Sequence, residues 1–409
     1  MKKKVIVIGG GAAGMIAAGT AAENGHNVIL IEKNKLLGKK LLITGKGRCN
    51  ITNACEDVET LLKNVITNNR FLYSAFYNFD NMQTIAFFEK LGVKTKIERG
   101  DRVFPQSDKS ADVVSALERY LAKNNVEILY DTAEDIAIDN NKITGVVLEK
   151  GGFMPSDSVI LATGGLSYPA TGSTGDGYRF AKKVGHTVTE LRPSLVPVTV
   201  AENWITNLSG LSLKNVAIAV KNSKNKNIYT DFGEMMFAHF GLTGPIILSA
   251  SAYMRNIKEE SYTLHLDLKP ALSEKQLDER ILRDFSQNMN KDFSNSLNAL
   301  LPKALIPVII DLCNIDPHKK INSVTAQERK RLTELLKNIE FKVTGFCPIE
   351  QAIITSGGVN VKEINPSTME SKLISGLYFA GEIIDTDAFT GGFNLQIAFS
   401  TGRLAGSLC

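Results

Sequence analysis

The sequence predicts an α/β protein whose Rossmann-like dinucleotide-binding domain is discontinuous: the chain leaves it for a β-rich and then a helical stretch, and returns at the end. Three observations carry this. The first 35 residues spell strand, glycine-rich turn, helix, strand and acid in register. From about Pro193 the texture changes to alternating strands and then to amphipathic helices. Residues 376–408 restore the opening texture with a strand, a glycine-rich turn and a helix. A chain of 409 residues also exceeds one ordinary core, so two or three domains are expected.

Taken in order, residues 5–8 are a short apolar run of the kind buried in parallel sheets. Residues 12–24 are helical in composition and end at Gly25, and 27–31 form the next buried strand. Residues 80–92 predict a helix with Asp80 as N-cap and Gly92 as terminator, followed by a second amphipathic helix over 112–124. Short strands follow at 126–130, 133–138 and 145–148, with a turn at Asn140-Asn141. Residues 158–162 are again a buried strand, running into Ala162-Thr163-Gly164-Gly165. Strand-like alternation appears at 195–200, 217–221 and 262–268, and residues 272–340 carry apolar residues at three- and four-residue spacing. A last strand at 377–380 precedes a helix from about Asn394.

The opening glycines are Gly9-Gly10-Gly11-Ala12-Ala13-Gly14, a GxGxxG placed after a strand and at the mouth of a helix. Gly9 suits the tight turn, Gly11 lets backbone amides approach a pyrophosphate, and Gly14 lets helix and strand pack closely. The N–H groups of the first helical turn, at Ala12 and Ala13, are donors for phosphate oxygens. Glu32 ends the second strand, where a carboxylate accepts from a ribose 2′-OH and disfavours a 2′-phosphate. The C-terminus separates FAD from NAD. Residues 377–382 run from a strand into Glu382, Asp385 and Asp387 follow, and Gly391-Gly392-Phe393-Asn394-Leu395-Gln396 opens a helix. Such an element suits ribityl hydroxyls and the electron-rich edge of a reduced flavin ring, or is a strand and a capped helix that only finish the sheet; spacing alone leaves both open. No second GxGxxG follows a strand, so NADH or NADPH, if it is the donor, docks transiently.

Bulk properties exclude several classes. Hydrophobic content of 44% and charged content of 22% are those of a globular protein. The net charge of +4 permits an anionic partner without requiring one. Lys2–Lys4 and the uncharged run after them imitate a secretory leader, but five glycines interrupt the run, so that reading is rejected. No stretch is apolar enough to span a bilayer, and no stable protein partner is expected. Five cysteines without a CxxC pair point to the cytoplasm, and five scattered histidines predict no protein-bound metal.

Several segments together resemble one family of bacterial FAD-binding oxidoreductases, which includes aminoacetone oxidase, the bile-acid-pathway flavin reductase (BaiN type) and ribosomal-RNA dihydrouridine synthases. They are Thr44-Gly45-Lys46-Gly47-Arg48-Cys49-Asn50-Ile51-Thr52-Asn53, Arg70-Phe71-Leu72-Tyr73, Arg102-Val103-Phe104-Pro105, Ala162 to Gly165 with Gly172 to Gly177, Phe237-Ala238-His239-Phe240-Gly241, and Gly376 to Gly406. The resemblance implies a discontinuous FAD domain (1–192 and 357–409), a β-barrel-like insert (193–270, returning at 343–356) and a helical insert (271–342). It implies that Gly9, Gly11, Gly14, Glu32 and Lys33 hold the adenosine and pyrophosphate. Gly45, Gly47, Arg48, Cys49 and Asn50, with Thr163 and Gly164, then lie near the flavin, and Gly381, Glu382, Gly392, Asn394 and Leu395 around the ribityl chain and ring. Ala238 and Ala388 depart from the pattern, where Thr and Gly are usual.

Three residues are candidates for the chemistry. Arg48 is either a cation stabilising an anionic ring or substrate, or an ion pair anchoring its loop. His239, in a Gly-flanked loop, is a candidate proton donor beside the alternative of a loop histidine held by backbone bonds, and Tyr168 is another possible acid. Cys49 reads as a packing cysteine rather than half of a redox pair, and Arg99, Arg102 and Lys109 as a solvated face. The expectation is an FAD-dependent reductase that takes hydride from NAD(P)H and saturates an electron-poor C=C, in a steroid-like enone or a uridine ring. An O2-using amine oxidase of aminoacetone type and a ribosomal-RNA dihydrouridine synthase are the alternatives.

Overall fold

The strand Lys4–Ile8 is the centre of a five-stranded parallel sheet in the computed structural model, which describes residues 2–255, 257 and 259–409. The sheet order is Leu377–Phe379, Ser158–Leu161, Lys4–Ile8, Asn27–Ile31, Glu127–Leu129. Val5 lies opposite Ser158 on one side and Val28 on the other. A strand hydrogen-bonded on both edges and covered on both faces has no polar side to present, which is why these runs are almost wholly apolar. The helices Ala12–Glu23 and Phe393–Leu408 pack together against this sheet. Gly402 and Gly406 face the backbone of Ala13 and Ala17 so closely that a Cβ at either position would overlap a carbonyl oxygen. The beginning and end of the chain are thereby joined in one layer.

Contacts divide the chain into two units, residues 1–194 with 348–409, and residues 195–347. The first also holds the antiparallel sheet Ala133–Asp139, Lys142–Leu148, Gly152–Pro155. Its first turn is Asn140-Asn141, both left-handed (φ 48° and 58°), the conformation a two-residue hairpin needs for its twist to match the strands. Asp80 caps the helix Asn81–Lys90 in a capping box with Gln83. A second three-stranded sheet, in the order Thr52–Asn53, Arg102–Pro105, Thr95–Glu98, carries the loop 44–53.

The second unit is a closed six-stranded barrel with helices, as the family resemblance implies. Its strands run Val198–Val200, Gly241–Thr243, Asn227–Ala238, Ser212–Asn222, Tyr262–Asp267, Ile339–Phe346 around the barrel. The helices Glu274–Ser286 and Ala326–Lys337 each begin in a capping box, at Ser273/Gln276 and Thr325/Glu328. Two local expectations change. The strand expected over 195–200 shortens to Val198–Val200, because Leu195 is left-handed (φ 54°) and separates it from the preceding strand Arg192–Ser194. The helical pattern through 340 overruns the helix, which ends at Lys337. Ile339 fits the three- and four-residue spacing of Leu335 and Leu336, yet it opens a strand of alternating buried and exposed residues. None of the described helices is long and apolar enough to cross a membrane.

One buried histidine in the first unit gives the fold a pH dependence. His186 places Nδ1 3.2 Å from Glu363 Oε2 and Nε2 2.8 Å from Ser371 Oγ, with its ring edge-on to Phe379. Burial lowers its pKa below the usual 6.5, outweighing the opposing effect of Glu363. The unfolded chain therefore takes up this proton first. The stability His186 contributes is complete above the unfolded value and is lost as pH falls from 6.5 toward the lower folded value. Urea unfolding at pH 7.5 and 5.5 is expected to show the loss, at no more than about 1.4 kcal/mol per pH unit from this one group. His186→Gln should flatten the slope in that window; an unchanged slope would assign it to other groups.

Candidate functional site

The site is assembled where the parallel strands end. Ile8, Ile31, Leu161 and Phe379 are the last residues of four neighbouring strands. They are followed by Gly9, Glu32, Ala162 and Ala380, the C-terminal crevice where open α/β sheets bind ligands. Gly9 (φ 108°) donates its N–H to Ile31 O at 2.9 Å, and a Cβ there would sit 2.5 Å from Ala162 O. A Cβ on Gly14 would overlap Gly9 O, so the helix lies as near the strand as backbone allows. Gly11 is different: no atom of the described residues lies within 4 Å of the position its Cβ would take. The first helical bond is Met15 N–H to Gly11 O at 3.0 Å, which leaves the preceding amides of Ala12 and Ala13 without an intrahelical acceptor.

Glu32 is 8% exposed. Its Oε2 accepts from Gly10 N–H at 2.8 Å, and its Oε1 from Asn34 N–H and Nδ2 at 2.7 Å each. A carboxylate has about four acceptor positions, so three are filled and one, on Oε2, is open. Lys33 is turned elsewhere, its Nζ held by Asp176 Oδ2 at 2.6 Å and by Thr174 Oγ1.

The loop 44–53 follows a helical segment, Lys39–Gly47, that is broken inside. Thr44 is extended, and Gly45, Lys46, Gly47 and Cys49 are left-handed (φ 57°, 60°, 82° and 59°). Lys46 and Cys49 have a Cβ and hold a costly backbone conformation, a feature concentrated at functional loops. The loop is clamped from one side by Arg48. Its guanidinium lies 4.1 Å from the Phe104 ring centroid, donates to Asp108 Oδ1 at 2.7 Å and pairs with Glu98. Lys96 completes the network at 2.6 Å from Asp108 Oδ2, and Lys96 and Arg48 together hold the Asp108 carboxyl below its usual range. Arg48 is about one-third exposed and its charge is already matched by two carboxylates. Cys49 is fully buried, and burial pushes its thiol up to about 12 against a hydrogen bond with Thr44. It is a thiol and not a thiolate at neutral pH, so it lacks the form that attacks disulfides.

The closing segment meets this loop. Gly391 and Gly392 are left-handed (φ 122° and 104°), and a Cβ on Gly392 would overlap the Thr52 carbonyl group. Asn53 Nδ2 donates to Gly391 O at 3.2 Å, and Thr52 Oγ1 to Gln396 Oε1 at 2.6 Å. Asn394 uses its side chain internally, giving Nδ2–H to Ala388 O (2.7 Å) and taking Ala388 N–H on Oδ1 (2.9 Å). What it and Leu395 offer outward are first-turn backbone amides. Gly381 receives support from Thr401, whose Oγ1 accepts Gly381 N–H at 2.9 Å.

Glu382, like Glu32, is held by three protein donors. Lys40 Nζ reaches its Oε2 at 2.6 Å; Ser167 Oγ and Thr355 N–H reach its Oε1 at 3.0 and 2.9 Å. Lys40, Ser167 and Thr355 carry no motif in the sequence, and no spacing marks them. Tyr168 is next to Ser167 in a left-handed conformation (φ 53°), tied by its backbone N–H to Glu350 O at 3.1 Å. His239 belongs to the barrel unit, exposed in the tight turn between Asn227–Ala238 and Gly241–Thr243, edge-on to Phe240.

The arrangement fits a dinucleotide. An open face at Gly11, unpaired helix amides and an acid with one spare acceptor position are what a pyrophosphate and a ribose require. Asn50 Oδ1 and Thr163 Oγ1 are buried without a hydrogen-bond partner among the described residues, so polar groups near both loops are suited to a ligand.

A family model described as the HI0933-like protein Rossmann domain matches residues 3–408. The chain is 29% identical over 401 residues to a 3-dehydro-bile acid delta(4,6)-reductase of Clostridium scindens, covering 96% of this chain and 95% of that protein. It is 30% identical over 393 residues to the ribosomal RNA dihydrouridine synthase of Escherichia coli, covering 95% and 93%. Among solved structures it resembles in fold the 3-ketosteroid delta1-dehydrogenase of Sterolibacterium denitrificans, with TM-score 0.53 and 14% identity over 99% of this chain and 98% of that one.

Proposed function

The chain belongs to the HI0933-like family, FAD-dependent oxidoreductases with a Rossmann fold, and from that premise we propose that it is a reductase driven by NADH or NADPH that saturates a carbon–carbon double bond conjugated to a carbonyl. The observation that carries the reading is shared by two relatives aligned over more than nine-tenths of this chain. One is named as a delta(4,6)-reductase and the other as a dihydrouridine synthase, and both names denote hydrogen added across a ring double bond. A steroid-like enone and a uridine ring are the two acceptor classes.

FAD, when bound, supplies the two-electron chemistry. The residues divide the work of holding it. Gly9, Gly11, Ala12, Ala13 and Gly14 present backbone and amides to the pyrophosphate, and Glu32 takes a ribose hydroxyl on its open Oε2 position. The first-turn amides of the helix Phe393–Leu408 face a developing negative charge, for which a helix N-terminus is suited. Gly45, Gly47 and Asn50, with Thr163 and Gly164, are assigned to the flavin, a reading supported by Asn50 Oδ1 and Thr163 Oγ1, which are buried without a partner among the described residues. Arg48 serves by clamping this loop, since its charge is spent on Glu98 and Asp108. Tyr168 is the proton-donor candidate within the first unit, and the five free cysteines suit the reducing cytoplasm.

The test is anaerobic rapid mixing of the flavin-loaded protein with NADH and with NADPH. The reduced protein is then exposed to an enone panel, uridine-containing ribosomal RNA, or air. The expected result is bleaching by a nicotinamide and fast recovery of flavin absorbance with one enone class or with the RNA. Aerobic turnover of aminoacetone with peroxide release, and no recovery with any enone or RNA, would replace this reading with an oxidase.

A further inference from the structure

We infer that Lys40, Ser167 and Thr355 are positioning residues that hold the Glu382 carboxylate in one orientation, leaving a single acceptor position on its Oε2 for a ribityl hydroxyl of the cofactor. The inference rests on the FAD reading above. The geometry is a closed ring. Lys40 Nζ donates both to Glu382 Oε2 and to Ser167 Oγ, at 2.6 Å each. Ser167 has one hydrogen, and Glu382 Oε1 at 3.0 Å is a nearer acceptor for it than Ile353 O at 3.4 Å. Oε1 is then filled by Thr355 N–H at 2.9 Å. Of about four acceptor positions three are occupied by protein donors, and the fourth lies on Oε2.

Thr355 acts twice. While its backbone N–H holds Glu382, its Oγ1 accepts Leu166 N–H at 2.8 Å and Ser167 N–H at 3.2 Å, fixing the turn that bears Ser167. Both Ser167 and Thr355 are fully buried, and a Cβ on Gly165 would press on Thr355 Oγ1 and Glu382 Oε1. Lys40 is anchored to the glycine loop through Gly38, whose N–H donates to Gly10 O at 2.8 Å. An ion pair this shielded gains little net stability, because desolvation offsets attraction. What the ring gains is direction: an acid late in the chain is aligned by a lysine 342 positions away in sequence.

The readout is the FAD dissociation constant of the apoprotein, followed by quenching of flavin fluorescence rather than by turnover. Lys40→Met should weaken FAD binding by about tenfold or more, and Lys40→Arg should restore most of it. The double variant Lys40→Met/Glu382→Gln should bind no more weakly than the weaker single variant, since both break one ring. Thr355→Val keeps shape and backbone N–H and loses only the acceptor for the 166–167 amides. It should weaken FAD binding by about threefold or more, and it carries the test if Lys40→Met does not fold. FAD binding by Lys40→Met and Thr355→Val within about twofold of the unaltered protein, or double-variant losses that multiply, would overturn the inference. Failure of the unaltered chain to bind FAD would instead overturn the reading on which it rests.

Discussion

Gly14→Val is expected to lose FAD entirely and to destabilise the first unit by about 3 kcal/mol or more, because its Cβ would overlap Gly9 O. A flexible side chain could swing aside; a carbonyl oxygen inside the glycine turn cannot. The helix Ala12–Glu23 would have to withdraw from the strand Lys4–Ile8, although it is already packed at Ala13 and Ala17 against the helix Phe393–Leu408. Gly11→Ala is the control that separates folding from binding. Its φ of −82° is open to any residue and its Cβ would meet no atom of the described residues within 4 Å. Stability should stay within about 0.5 kcal/mol. FAD affinity should still fall by about a hundredfold, since the methyl group occupies the approach to the helix amides. Denaturant unfolding and retained flavin absorbance check both variants. Equal losses of stability in the two would contradict the distinction.

Gly392→Val is the second large effect. The residue is left-handed (φ 104°), which costs a side-chain-bearing residue about 1–2 kcal/mol, and its Cβ would also overlap the Thr52 carbonyl. Together these should cost about 3 kcal/mol and force the loop 44–53 away from the last helix. The main sheet does not depend on this contact, so the damage should be local. Hydrogen exchange is expected to rise at Ile51–Asn53 and residues 391–396 and to stay low in Lys4–Ile8 and Ser158–Leu161. Flavin should be lost on purification. Flavin retained with unchanged exchange would show that the two segments do not close one site.

Local chemistry was readable without the fold. The glycine loop, Glu32 at a strand end, the Asp80 cap and the Asn140-Asn141 turn each rest on residues adjacent in sequence, where backbone geometry has few solutions. The barrel rests on long-range pairing, and alternation at 217–221 could not show that its strand runs from Ser212 to Asn222 or closes with five others. The same limit hid the ring around Glu382, whose members stand at positions 40, 167, 355 and 382 and have ordinary residue types. The TGKGRCN run marks a special loop, but only the places of Glu98, Phe104 and Asp108 in the fold reveal that Arg48 is spent on clamping it. Conversely, Asn394 stood out in the GGFNLQ run, while its side chain braces residues 388 and 389.

In the proposed function, the glycine loop at the start of the chain and the glycine turn near its end enclose a single FAD. The direct measurement is identification of the cofactor released from the purified chain, with its stoichiometry, and titration of the stripped protein with FAD. One FAD per chain, retained by the unaltered protein and by Gly11→Ala only weakly, is the predicted result. A colourless protein that takes up no FAD on reconstitution would contradict it.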